Sequence, residues 1–316
     1  MPFTIDSHAH AFPDRLQKAV PALGALPLQG IRRSARAWMR PFASSMHRAR
    51  PWLRLLPEAI RGPAEELTSL APLPGLLVES TPLDLAEAMD EAEVETALVV
   101  AHPPWISNEF VMDMAAEDPR FAPVVNFPPS VNEPGKALRK FFKAGARALK
   151  IHPAADGEGP ESPHYRSLLR VADELGLPVI LHTGCVHSFL LYKDPAKGHA
   201  ELFIDWFREH QQLRFVLAHM NQHEPQGAMD LAEKYPNLLL ETSWQPAEVI
   251  GEAVRRVGAR RVLFGSDWPF VGDNMRVGID RIRDCVETGM FTEAEAALIL
   301  GENAAEIFKI EPVHAS

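Results

Sequence analysis

Short apolar runs, each ending at or beside a polar residue, recur along the chain at nearly regular intervals. They occupy residues 3–8, 94–101, 121–127, 146–152, 178–184, 213–219, 237–243 and 261–267. Their length and their content of Val, Ile, Leu and Phe predict eight buried strands. From the second run onward the starts are 27, 25, 32, 35, 24 and 24 residues apart, room for one strand, one helix and two loops per repeat. The intervening stretches carry helical patterns at 83–93, 113–118, 136–144, 161–175, 201–210, 226–235 and 246–257. A final helical region, 292–308, opens on Thr292 and Glu295, the spacing of a capping box, and is expected to cover the barrel behind strand eight. Alternating strands and helices, eight times over, predict a closed (β/α)8 TIM barrel.

One gap breaks the period. The first and second strands start 91 residues apart, about 60 more than one repeat needs. Residues 14–80 therefore form an insertion, rich in Pro and expected to contain short helices at 31–39 and 51–56. It leaves the mouth of the barrel and would sit over it as a lid. The chain otherwise reads as a single domain over residues 1–316.

Composition narrows the class. A hydrophobic fraction of 46% and a charged fraction of 23% belong to a globular protein. No run is long enough to span a membrane, and residues 3–8 form a strand with no basic leader before it, which predicts a cytoplasmic protein. Two cysteines, Cys185 and Cys285, are too few for a disulfide framework. The net charge of −10 argues against general nucleic-acid binding. The charge is uneven, however: nine Lys or Arg and no acid lie between Arg15 and Pro57. That segment is a solvated helical face, a lid that attracts an anionic substrate, or a docking surface.

In a parallel barrel the C-terminal ends of all strands meet at one mouth, so the residues that close each strand carry the chemistry. Strand one closes on His8-Ala-His10, strand two is followed by His102, and strand four closes on Lys150 and His152. Strand five closes on His182, strand six on His219, strand seven on Glu241-Thr242 and strand eight on Asp267. In extended chain, residues i and i+2 share a side, so His8 and His10 can chelate together. His182 and Asp267 would complete four protein ligands with one position open for water, a nitrogen and oxygen set suited to one divalent ion, zinc first, with manganese or iron as alternatives. Any one of these taken alone would be a hydrogen-bonded core histidine or a helix cap; four at the ends of four separate strands form a site.

Six motifs give the sequence a family likeness: Ile5-Asp-Ser-His-Ala-His10, Ala148-Leu-Lys-Ile-His-Pro153, Ile180-Leu-His-Thr-Gly184, Val216-Leu-Ala-His219, Leu263-Phe-Gly-Ser-Asp-Trp-Pro269 and Leu300-Gly-Glu-Asn-Ala-Ala305. The chain resembles the amidohydrolase-related (type 2) branch of the metal-dependent amidohydrolase superfamily. The resemblance implies His8, His10, His182 and Asp267 as ligands of one ion, and His219 as the residue that steers or deprotonates metal-bound water. Lys150 stands where binuclear relatives bridge two ions, and is expected here to be a charge beside the ligands or a substrate anchor. Asp267 would also carry a proton in a hydrolase, and would be a ligand only in a decarboxylase. Trp105 and Trp244 are candidates for an aromatic substrate pocket, with Phe127 and Trp268 as core; His152 and His187 could contact substrate, and Cys185 is expected to be inert.

The leading expectation is a hydrolase that turns metal-activated water on a small carboxylated lactone, ester or amide. The alternative is a lyase, a non-oxidative decarboxylase of an aromatic or unsaturated carboxylic acid. The paired histidines of strand one and His182-Thr-Gly184 lean toward the hydrolase. A barrel that has lost its chemistry and serves as a scaffold is disfavoured by the intact ligand set. The resemblance also admits a homodimer.

Overall fold

A computed structural model describes residues 3–14, 48–69, 80–184, 192–269 and 274–311, with 34, 37, 38, 41 and 45 from the segment between. Eight parallel strands pair in sequence order: β1 (Ile5–Ala9), β2 (Thr96–Val100), β3 (Phe121–Asn126), β4 (Ala148–Ile151), β5 (Val179–His182), β6 (Phe215–Ala218), β7 (Leu238–Glu241) and β8 (Val262–Leu263). Three backbone hydrogen bonds carry the end of β8 back to β1: Ser7 N–H to Phe264, Asp267 N–H to His8 and His10 N–H to Trp268. The architecture is the expected (β/α)8 barrel.

Every strand contributes to an inner cluster that fills the barrel, including Ile5, Val100, Val124, Ile180, Val216, Leu239 and Leu263. The alternate positions, such as Val99, Leu181 and Leu240, face the surrounding helices. Counting two residues on from Ala148, Ile180 and Leu239 reaches Lys150, His182 and Glu241, so the inward phase that packs the floor delivers polar groups to the mouth.

Strand β1 reaches the same end differently. Its pairing with β2 slips by one residue between Asp6 and Ala9. Ile5 lies in the inner cluster and Ala9 in the outer one, although four residues of regular strand would leave them on one face. This bulge turns His8 and His10 inward. The Asp6 carboxylate braces it, accepting from the backbone N–H of His8 at 3.0 Å and of Ser266 at 2.9 Å.

Most helices fall where expected. Pro163–Leu175 begins after Ser162 and stops at Gly176, whose φ of 59° is left-handed, and Thr292 and Glu295 form the capping box. Two differences stand out. The strand at 261–267 shortens to two residues because the chain leaves the ladder early, and Asp267 adopts a φ of 58°. A helix not anticipated, Asn274–Glu287, follows strand eight, and Gly278 lets it pack closely: a Cβ there would come 2.8 Å from the Phe264 ring. The segment expected behind strand eight packs there, with Ile299 accepting from the Phe264 N–H at 2.8 Å, and it also closes the barrel floor, with Ala304 and Phe308 in the inner cluster.

Within the insertion expected at 14–80 the described elements are a 3-10 turn at Arg50–Leu55 and a helix at Glu58–Ser69. The turn coincides with the helix expected at 51–56. The one expected at 31–39 lies almost wholly outside the described residues, as do Arg32, Arg33 and Arg36. Arg48 of this segment pairs with Asp280 at 3.0 Å. Among the described residues no helix is long and apolar enough to cross a membrane.

Candidate metal centre

Six imidazoles form a closed ring around the mouth. Passing from His8 to His10, His102, His152, His182 and His219 and back to His8, successive ring centres are 5.1, 6.1, 5.4, 3.7, 4.8 and 4.9 Å apart. His152 and His182 stack nearly parallel, at 14°, and Tyr192 lies 5.5 and 5.6 Å from their centres. Lys150 approaches this ring, with Nζ 3.2 Å from His8 Nε2.

Within the ring the donor atoms of His8, His10 and Asp267 converge to within 4.8 Å of one another. Asp267 Oδ1 is 3.7 Å from His8 Nε2 and 3.5 Å from His10 Nε2. Each group is held from behind. His10 Nδ1 meets the carbonyl of Val100 at 3.0 Å, His8 Nδ1 meets Glu241 Oε2 at 3.2 Å, and Trp244 Nε1 donates to Asp267 Oδ2 at 2.7 Å. Such outer contacts fix the orientation of metal ligands.

His182 stands outside this convergent triple, yet its Nε2 is buried with no hydrogen-bond partner among the described residues. A buried orphan of this kind is costly unless something completes it. A second grouping, His8 with His219 and Glu241, also falls within 4.8 Å. It is accounted for by hydrogen bonds: Glu241 accepts from His219 N–H at 3.1 Å and from Ser243 Oγ at 2.9 Å, as well as from Ser243 N–H.

Electrostatics suits a cation. Burial first, then the neighbouring Lys150 ammonium, pushes the His8 imidazole well below its usual range. Burial and adjacent imidazoles do the same to His152, His182 and His219, and bring His102 down to about 3. Neutral imidazoles offer lone pairs, which is the form that binds metal. At Asp267 burial pulls upward but is outweighed by the His10 hydrogen bond, the charges of His8 and His10 and the Trp244 N–H, leaving the carboxyl at about 2. Desolvation lowers Lys150 to about 8, so it remains a cation at neutral pH. Nitrogen and oxygen donors, one ionised carboxylate and an orphaned imidazole nitrogen fit a divalent ion.

Backbone geometry is unusual at the same residues. His219, Trp244 and Asp267, each just past a strand end, have φ of 66°, 66° and 58°, a region that costs non-glycine residues energy and clusters at functional sites.

The other expected residues separate. Trp244 is buried against Asp267, whereas Trp105 lies half exposed on the turn after β2; Phe127 and Trp268 belong to the core. His187 and Cys185 lie outside the described residues. Sequence reasoning gave no role to His102, Glu241, Ser243 or Tyr192. Glu241 was within reach of the inward-phase rule, two residues beyond Leu239.

Comparison with known proteins agrees with this picture. Gamma-resorcylate decarboxylase of Rhizobium sp. (strain MTP-10005) is 25% identical over 208 residues, 53% of this chain. The match spans 62% of that relative's length. The solved 5-carboxyvanillate decarboxylase of Sphingomonas paucimobilis superposes with a TM-score of 0.65 at 17% identity, covering 98% of this chain and 100% of the other. The 5-carboxyvanillate decarboxylase of Novosphingobium aromaticivorans, solved with manganese and 4-hydroxy-3-methoxy-5-nitrobenzoic acid, also gives 0.65, at 14% identity, covering 98% and 96%. These two likenesses establish shared architecture. The amidohydrolase family model matches residues 5–310, and the chain accordingly belongs to the amidohydrolase type 2 family.

Proposed function

We propose that the protein is a divalent-metal-dependent, non-oxidative decarboxylase of an aromatic carboxylic acid. The observation that carries this reading is the ring of imidazoles: a buried enclosure with stacked His152 and His182, beside a cluster able to hold a cation and beside the Lys150 ammonium. Planar rings suit an aromatic substrate, and a cation that keeps its charge suits its carboxylate. The identity to gamma-resorcylate decarboxylase supports the same class.

A bound divalent ion, held by His8, His10 and Asp267 and completed by His182, would supply Lewis acidity toward the substrate's oxygens. Lys150 would hold the carboxylate, and the imidazole wall would orient the ring and exclude water. With the substrate bound as its carboxylate, His219 Nε2 would take up a proton from solvent water before the site closes on the ring. As the bond from ring carbon to carboxylate breaks, carbon dioxide leaves, the electron pair stays on carbon, and His219 delivers the proton there.

The hydrolase reading asks Asp267 to take a proton from water and pass it to a leaving group. Its Oδ2 already accepts from Trp244, while Oδ1 faces His8 and His10, an arrangement that supports a ligand more than a proton carrier. The test is a panel of aromatic acids, including gamma-resorcylate and 5-carboxyvanillate, beside lactones and esters. Protein stripped with chelator and reloaded with Mn2+ or Zn2+ is expected to release carbon dioxide from an acid, with no turnover before reloading. The His219→Asn variant should keep its metal and lose about a hundredfold or more in rate. Turnover confined to lactones or esters would restore the hydrolase.

A further inference from the structure

We propose that Glu241 is a positioning residue that sets the tautomers of His8 and His219 together, so that both imidazoles present an Nε2 lone pair to the site. The inference rests on the reading of His8 as a metal ligand and His219 as a proton carrier.

The argument is one of donors and acceptors. Glu241 is fully buried at the end of β7. Each of its oxygens meets a backbone N–H, Oε1 that of Ser243 and Oε2 that of His219. A backbone N–H can only donate, so each oxygen accepts at least once, and Glu241 in its carboxylate form can accept from all of its neighbours, against a burial that pushes the carboxyl up to about 7. The Ser243 hydroxyl, 2.9 Å from Oε2, then gives its proton to Glu241. Its oxygen is left to accept, and His219 Nδ1, 2.6 Å away, must carry the hydrogen. His8 Nδ1, 3.2 Å from Oε2, must carry one as well. On both rings the lone pair is therefore at Nε2. For His8 this is the atom facing Asp267 Oδ1 and Lys150.

The cradle is built for the carboxylate from the next strand. A Cβ on Gly265 would collide with Glu241 Oε1, so only glycine leaves room for it. One buried acid thereby couples a residue of β1 to a residue beyond β6.

The test uses full-length protein labelled with 15N at histidine and free of metal. Long-range proton–nitrogen spectra are expected to show His8 and His219 as Nδ1–H tautomers, with His8→Gln and His219→Asn identifying the signals. In Ser243→Ala only the His219 signals should shift, and Mn2+ affinity should stay within about twofold, since Ser243 touches no proposed ligand. In Glu241→Gln both tautomers should mix and Mn2+ affinity should fall about 10–100-fold, the range for losing a group that orients a ligand. If Glu241→Gln does not fold, Gly265→Ala, which displaces the carboxylate while leaving it in place chemically, should give the same weakening. An Nε2–H tautomer at either histidine in the wild type, or unchanged Mn2+ affinity in a folded Glu241→Gln or Gly265→Ala, would overturn the proposal. So would two Mn2+ per chain with one lost in Glu241→Gln, which would make Glu241 a ligand. Inactivity on every acid, with the spectra and affinities as expected, would remove the decarboxylase reading and leave this one standing.

Discussion

Trp244 Nε1 and Asp267 Oδ2 are joined at 2.7 Å, a contact between the residue three past the end of β7 and the residue four past the end of β8. The indole holds one carboxylate oxygen and leaves the other facing His10 at 3.5 Å. In the proposed metal site it would select which oxygen is offered to the ion. The Trp244→Phe variant keeps an apolar ring and removes the donor, and its Mn2+ affinity is expected to fall about tenfold with little change in folding. Calorimetric titration measures this directly. Unchanged affinity would show that the hydrogen bond contributes packing alone.

Lys150 is the buried cation beside the cluster of His8, His10 and Asp267. A hydrogen bond to a charged group contributes about 1.5–3 kcal/mol, equivalent to roughly 10–150-fold. Lys150→Met, of similar length and without charge, is expected to raise KM for an aromatic acid by a factor in that range while the metal content stays at one ion per chain. Metal loss measured by elemental analysis would instead place the lysine in the metal set, as in a binuclear relative.

A pH effect on stability should come from Asp156, outside the cluster of His8, His10 and Asp267. Burial raises its carboxyl to about 6, against the smaller opposing influence of the Tyr165 hydroxyl, which donates to it at 2.6 Å. The folded state thus holds this proton more tightly than the unfolded chain, whose carboxyl titrates near 3.8. Stability contributed by the protonated form is complete below the unfolded value and is lost as pH rises through about 6. Urea unfolding at pH 5 and pH 8 should show the wild type losing more stability between the two than Asp156→Asn does. Equal losses would mean that Asp156 does not titrate in this window.

How much of the molecule was legible in the sequence depended on what each feature required. Strands buried on both faces are apolar throughout, so their positions were evident and their ends marked where polar residues gather. This was sufficient to bring His8, His10, His182, His219 and Asp267 to one end of the barrel. It failed where the chain leaves regular structure, because strand eight continues to look apolar-led while its ladder ends at Leu263. The helix Asn274–Glu287 was obscured by its three arginines and Gly278, which mask the apolar stripe of Met275, Ile279 and Ile282. Partnerships were least visible. Nothing in spacing pairs Trp244 with Asp267, or closes six histidines from five strands into one ring, since both depend on how neighbouring strand ends curl inward.

The slip in β1 has a wider consequence for how this barrel can change. Below Asp6 the strand follows the packing rhythm of the interior, and above it the strand follows the needs of the mouth. The one extra residue acts as a clutch between the two. The upper half of the strand can acquire a different pair of side chains without re-tuning the layers beneath, and the floor can be repacked without swinging the imidazoles away. A family that retains one scaffold while altering its chemistry gains from such a separation, because the residues that hold the fold and those that meet the substrate are free to vary on independent schedules.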